Sequence, residues 1–156
     1  MNTQAKKDAY IFLKDQKIGV LSTILGQQPQ SAFIYYTIDE NLNIYFITLV
    51  NSRKYFNLQS NNKVSFTVAA DNPPRTVQLD GTAEISTDTN TINTVTANYY
   101  AAITKNSQNP VPVTKLDVSG GLAVYKITPQ WMKWSDFTDM EKKGGQGVTE
   151  VIIDNK

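Results

Sequence analysis

The residues best placed to do chemistry lie at Thr48-Leu49-Val50-Asn51-Ser52-Arg53-Lys54, where an apolar run gives way to a polar start followed by Tyr55, Phe56 and Leu58. That order reads as a strand ending and a short helix beginning, with two cations in the helix's first turn. A helix N-terminus already carries roughly half a positive charge, so Arg and Lys there cost about 0.3–1 kcal/mol each unless an anion sits among them. A phosphate resolves the conflict. The free first-turn N–H groups, the Ser52 hydroxyl, the forked Arg53 guanidinium and the Lys54 ammonium can all donate to its oxygens. A plainer account of the same residues has Asn51 or Ser52 capping a helix, with Arg53 and Lys54 solvated.

Composition narrows what else the chain can do. Its 156 residues contain no cysteine and no histidine. That removes disulfides, thiolate nucleophiles, an imidazole base, a histidine-ligated haem and most transition-metal sites, so no metal is expected. Lys plus Arg is 15 against 14 for Asp plus Glu, leaving no global field to draw the protein to nucleic acid or an anionic membrane. No apolar run is long enough for a signal peptide or a membrane span, and a cytoplasmic location is the expectation.

The elements that must position the cationic turn follow from pattern. The length suits one domain with one core, expected over residues 1–137, with 138–156 as a C-terminal tail. Residues 3–14 set Ala9, Phe12 and Leu13 on one stripe, the spacing of a short amphipathic helix lidding an open barrel end. Strands are expected at 18–25, 30–38, 43–50, 63–70, 76–86 and 121–128, with Gly26-Gln27-Gln28-Pro29 as a turn and Gly81 marking a bulge. A helix is expected at 51–60, and another at 87–105 capped by Thr87 or Asp88. Residues 106–119 read as a proline-containing loop. The tail, with Lys142-Lys143-Gly144-Gly145, reads as flexible before a short apolar end at 151–153. The GGQG near residue 145 has no preceding strand and makes a poor phosphate loop.

The segment ITLVNSRK, preceded by a buried strand, resembles the strand-to-helix element of the FMN-binding split barrels related to pyridoxamine 5'-phosphate oxidase. The likeness extends upstream through IGVLSTI and QPQSAFIYYTIDENLNIYFIT, and downstream through NLQSNNKVSFTV and TVQLDGTAEI, covering about residues 5–86, with GLAVYKITP and the Trp134 region as a last strand. The resemblance implies a mainly β fold with short helices, a six-stranded antiparallel split β-barrel. It implies FMN, or a deazaflavin in its place, held at the interface of a homodimer. Carried over residue by residue, Thr48, Ser52, Arg53 and Lys54 would contact the phosphate and ribityl chain. Phe33, Ile34 and Ile47 would line the ring, the first two mainly through backbone groups. Thr76 or Gln78, together with Trp134, would reach the flavin from the other subunit. Ordinary core or dimer packing is the competing account of Trp131 and Trp134, and packing is the favoured account of Tyr35, Tyr36, Tyr99 and Tyr100.

The chain also departs from that pattern. Ala32 and Thr37 stand where the vitamin B6 oxidases of the family carry an arginine and a lysine, and the 87–105 segment contains no arginine for a substrate phosphate. Vitamin B6 oxidation is therefore not expected. The implied activity is an FMN-dependent oxidoreductase acting on an unknown small molecule, with a non-catalytic flavin-binding, stress-response or redox-sensing protein as the alternative. No catalytic residue is assigned, because the flavin would carry the hydride or electrons.

Overall fold

The structure, a computed structural model, describes residues 3–104, 121–138, 140 and 147–155. Helix α1 (Gln4–Asp15) begins where Thr3 accepts a hydrogen bond from the Lys6 N–H, and it buries Ala5, Ala9, Phe12 and Leu13. The stripe seen in the sequence is thus the face that docks. Strands β1 (Ile18–Leu25), β2 (Gln28–Ile38) and β3 (Ile44–Leu49) lead to helix α2 (Arg53–Ser60). Then come β4 (Lys63–Ala70), β5 (Arg75–Ile85), helix α3 (Thr89–Thr104), β6 (Leu122–Asp136) and β7 (Val148–Asp154).

All pairings are antiparallel, in the order β3-β2-β1-β4-β5-β6, and a β3–β6 pairing closes six strands into a barrel. Closure gives each of the six barrel strands a neighbour on both sides over at least part of its length. Alternation along each strand fills the inside with Leu21, Tyr36, Phe46, Phe66, Val77, Leu79, Tyr125 and Ile127. Phe46 and Tyr125 stack with centroids 5.4 Å apart and planes 9° from parallel. Gly19 faces the Phe66 ring so closely that a Cβ there would collide with it.

Three expectations need correction. The turn between β1 and β2 is only Gly26-Gln27, since Leu25 pairs with Gln28 and Pro29 with Ile24. Counting alternation from the bond between the Tyr36 N–H and the Lys17 carbonyl, the Pro29 nitrogen points away from β1, where its missing N–H costs no ladder bond. The last barrel strand does not stop at residue 128; β6 runs through Pro129 to Asp136. It can do so because Gly81 pairs with Pro129 and Asp80 with Trp131, leaving Gln130 as the extra residue of the bulge expected at Gly81. Finally, residues 148–154 form β7, a seventh strand paired with the far half of β6 outside the ring. The expected 106–119 loop and the Lys142 to Gly145 stretch lie outside the described residues. No helix among the described residues is long and apolar enough to cross a membrane.

Candidate functional site

β3 pairs with β6 along its whole length, from Ile44 to Leu49, but with β2 only at Tyr36 to Ile38. Beyond that short ladder β2 and β3 part. The chain turns there from β3 into α2, which packs against β1 and β3. Thr48 faces inward and is 4% exposed, with its Oγ1 2.8 Å from Ser52 Oγ. Ser52, rather than Asn51, is the N-cap, in extended conformation with its Oγ accepting from the Tyr55 N–H at 3.3 Å.

Arg53 is exposed and Lys54 half-buried at this helix start, which has no acidic residue in its first turn. Burial lowers the Lys54 pKa from its ordinary value, and the neighbouring Arg53 charge lowers it further. Among the described residues no carboxylate pairs with either cation. Two adjacent positive charges therefore sit at the positive end of a helix dipole, with one side chain partly desolvated and no carboxylate paired with them among the described residues. What such an arrangement can do is hold an anion.

The other expected residues distribute unevenly around this opening. Phe33 lies on β2 past the last pair with β3 and is 80% exposed; alternation points its backbone groups toward the parting rather than toward β1. Ile47 sits on the outer face of β3 against Tyr99, on which Tyr35 also packs. The rings of those tyrosines meet edge-on at 6.2 Å, consistent with packing. Thr76 and Gln78 share the outer face of β5. The registers run Phe33, Val20, Thr67, Gln78 in one row across β2, β1, β4 and β5. Three strand spacings separate Gln78 from Phe33, about 14 Å measured around the sheet.

One residue expected to line the ring is not brought to the opening. Ile34 is 5% exposed inside the barrel and pairs with Gly19, so its side chain is in the core and its backbone groups face β1. Trp134, expected to reach the flavin of the other subunit, is 3% exposed within this chain, with its ring 5.2 Å from that of Phe12 under α1.

The sequence also left a buried polar cluster unread. Asn57, 1% exposed on the inner side of α2, donates through Nδ2 to Thr23 Oγ1 at 2.9 Å and to Gln30 Oε1 at 3.0 Å. These residues stand 34 and 27 positions apart in the chain, so no local pattern pairs them. The polar types alone, at positions of a helix and two strands that face inward, were the available signal.

The family model described as pyridoxamine 5'-phosphate oxidase matches residues 6–134. No curated protein matches. Among solved structures, general stress protein 26 from Bacillus anthracis str. Sterne aligns with a TM-score of 0.62 at 20% identity, over 85% of this chain and 94% of that one. A Clostridium acetobutylicum protein related to general stress protein 26, of the pyridoxinephosphate oxidase family, gives 0.65 at 16% identity, over 97% of each chain. An FAD-binding protein from Mesorhizobium loti gives 0.61 at 16% identity, over 81% of this chain and 90% of that one. At these identities the likeness is one of fold.

Proposed function

This chain belongs to the pyridoxamine 5'-phosphate oxidase family, and from that premise we propose that it binds a phosphorylated flavin, FMN, at the parting of β2 and β3. The observation that carries the reading is the unneutralised Arg53–Lys54 pair on the capped start of α2, a donor set that fits a phosphate and has no internal partner among the described residues. Ser52 adds a hydroxyl and Phe33 a strand edge facing the same opening. When bound, the flavin supplies hydride or electron transfer, which makes an oxidoreductase of a small organic molecule the favoured activity. The chain's own part is to anchor the phosphate through Ser52, Arg53 and Lys54, to orient the ring beside Phe33 and Ile47, and to leave one face open to substrate.

The site is proposed to be completed by a second copy. Phe33 is 80% exposed and Ile18 45% exposed on the outer sheet face, an apolar surface suited to self-association. Gln78, three strands around the barrel from Phe33, is proposed to serve the partner's opening rather than its own. The test is titration of the purified protein with FMN, a deazaflavin phosphate and FAD, followed by quenching of cofactor fluorescence. Saturable FMN binding supports the reading. Binding of the deazaflavin alone would replace the cofactor, and binding of none would sink the proposal. Rapid bleaching of bound FMN by a nicotinamide donor separates the enzyme from a flavin store or sensor.

A further inference from the structure

We infer that Asn57 is a positioning residue for the phosphate end of this site, its side-chain amide setting the distance between the helix start that carries Arg53 and Lys54 and the strand that carries Phe33. The inference rests on the flavin reading above. Asn57 follows Arg53 by about one helical turn, so fixing Asn57 against the barrel fixes the turn of α2 that carries Arg53. Gln30, which accepts from Asn57 Nδ2 at 3.0 Å, precedes Phe33 by three residues on β2. Asn57 therefore joins the two walls of the opening directly.

No backbone ladder does that job, because β2 and β3 pair only at Tyr36 to Ile38 and part before the site begins. The amide bridges the place where the ladder stops. Its second proton goes to Thr23 Oγ1 at 2.9 Å, and that hydroxyl in turn donates to the Gln30 carbonyl at 3.4 Å. Both amide protons thus go to named oxygens, and the residue is 1% exposed, so these contacts fix the side chain between helix and strand. A leucine, branched alike but bulkier, would fill the space without donating to either wall. Preorganised donors lose binding steeply when their spacing drifts, since a charge-assisted contact needs its distance and angle together.

The readout is the ratio of affinities for FMN and riboflavin, which share a ring and differ by the phosphate. Wild-type protein is expected to favour FMN. Asn57→Leu is expected to lower that preference by about tenfold, the scale of one charge-assisted hydrogen bond, with riboflavin binding little changed. Gln30→Leu, which keeps the Asn57–Thr23 bond, is a second variant with less risk to folding and is expected to lower the ratio in the same direction. Thr23→Ser keeps the hydroxyl and should keep the ratio. If Asn57→Leu and Gln30→Leu lower the thermal midpoint but leave the FMN-to-riboflavin ratio at its wild-type value, the amide is merely structural and the inference is overturned. If wild-type protein does not distinguish the two flavins, the phosphate reading itself fails and the inference falls with it.

Discussion

Thr48 Oγ1 and Ser52 Oγ lie 2.8 Å apart, joining the last inward residue of β3 to the cap of α2. Ser52 also accepts from the Tyr55 N–H, so one hydroxyl closes the strand-to-helix turn and satisfies a first-turn donor. Ser52→Ala removes both roles and strands a Thr48 hydroxyl that is 4% exposed. A loss of about 1–2 kcal/mol is expected in urea unfolding, together with weaker FMN binding. Unchanged stability would show that the cap contributes nothing.

The fold was largely legible because its determinants are local. β1 and β4 are bounded as their apolar alternation predicts, and α1, α2 and α3 begin at capping residues the sequence displays. For α3, the Asp88 carboxylate accepts from the Thr91 N–H at 2.7 Å, which selects Asp88 over Thr87. What escaped depends on distant partners. Pro129 looked like a stop, and only its pairing with Gly81 across a bulge makes it tolerable within β6. Likewise β7 is a weakly alternating run that becomes a strand by pairing with β6.

The site was legible in part for the same reason. Ser52, Arg53 and Lys54 are consecutive, so their chemistry is visible in one line of sequence. The Asn57 bridge and the inward place of Ile34 depend on register and on the parting of β2 from β3, which spacing alone does not reveal.

Gly19 tests the packing directly. A Cβ there collides with the Phe66 ring, which is fully buried. Gly19→Ala is expected to destabilise the protein by about 1–3 kcal/mol through overpacking. In a Phe66→Leu background the same change should cost less. Strict additivity in a urea-denaturation cycle would contradict the close approach.

Alkaline pH should weaken the fold in a defined window. Burial first, then the 2.9 Å hydrogen bond to Asp39 and the charges of Asp39 and Asp88, push the Tyr45 phenol up to about 12. An unfolded tyrosine loses its proton near pH ~10, so above that point the unfolded chain binds fewer protons than the folded one. The contribution is therefore full below pH ~10 and is lost as pH rises toward the folded value. Burial raises Tyr36 and Tyr99 in the same direction. Thermal midpoints across that window should fall, and Tyr45→Phe should make the fall shallower. An unaltered slope would remove Tyr45 from the account.

Phe33 tests the proposed second copy. Its ring is 80% exposed on the outer sheet face, where a charge is harmless to a monomer. Phe33→Glu is expected to shift sedimentation from dimer to monomer and to weaken FMN binding, although Ser52, Arg53 and Lys54 are intact. A dimer that persists with full flavin affinity would place the partner surface elsewhere.

The most direct test of the central claim is the visible spectrum of the protein during FMN titration, for wild type and for the Arg53→Ala, Lys54→Ala double variant. The account predicts saturable binding with a perturbed flavin band in the wild type. In the double variant, whose far-ultraviolet circular dichroism should match the wild type because neither side chain supports the core, that binding is lost. Equal FMN affinity in the two folded proteins would contradict a phosphate site at the start of α2.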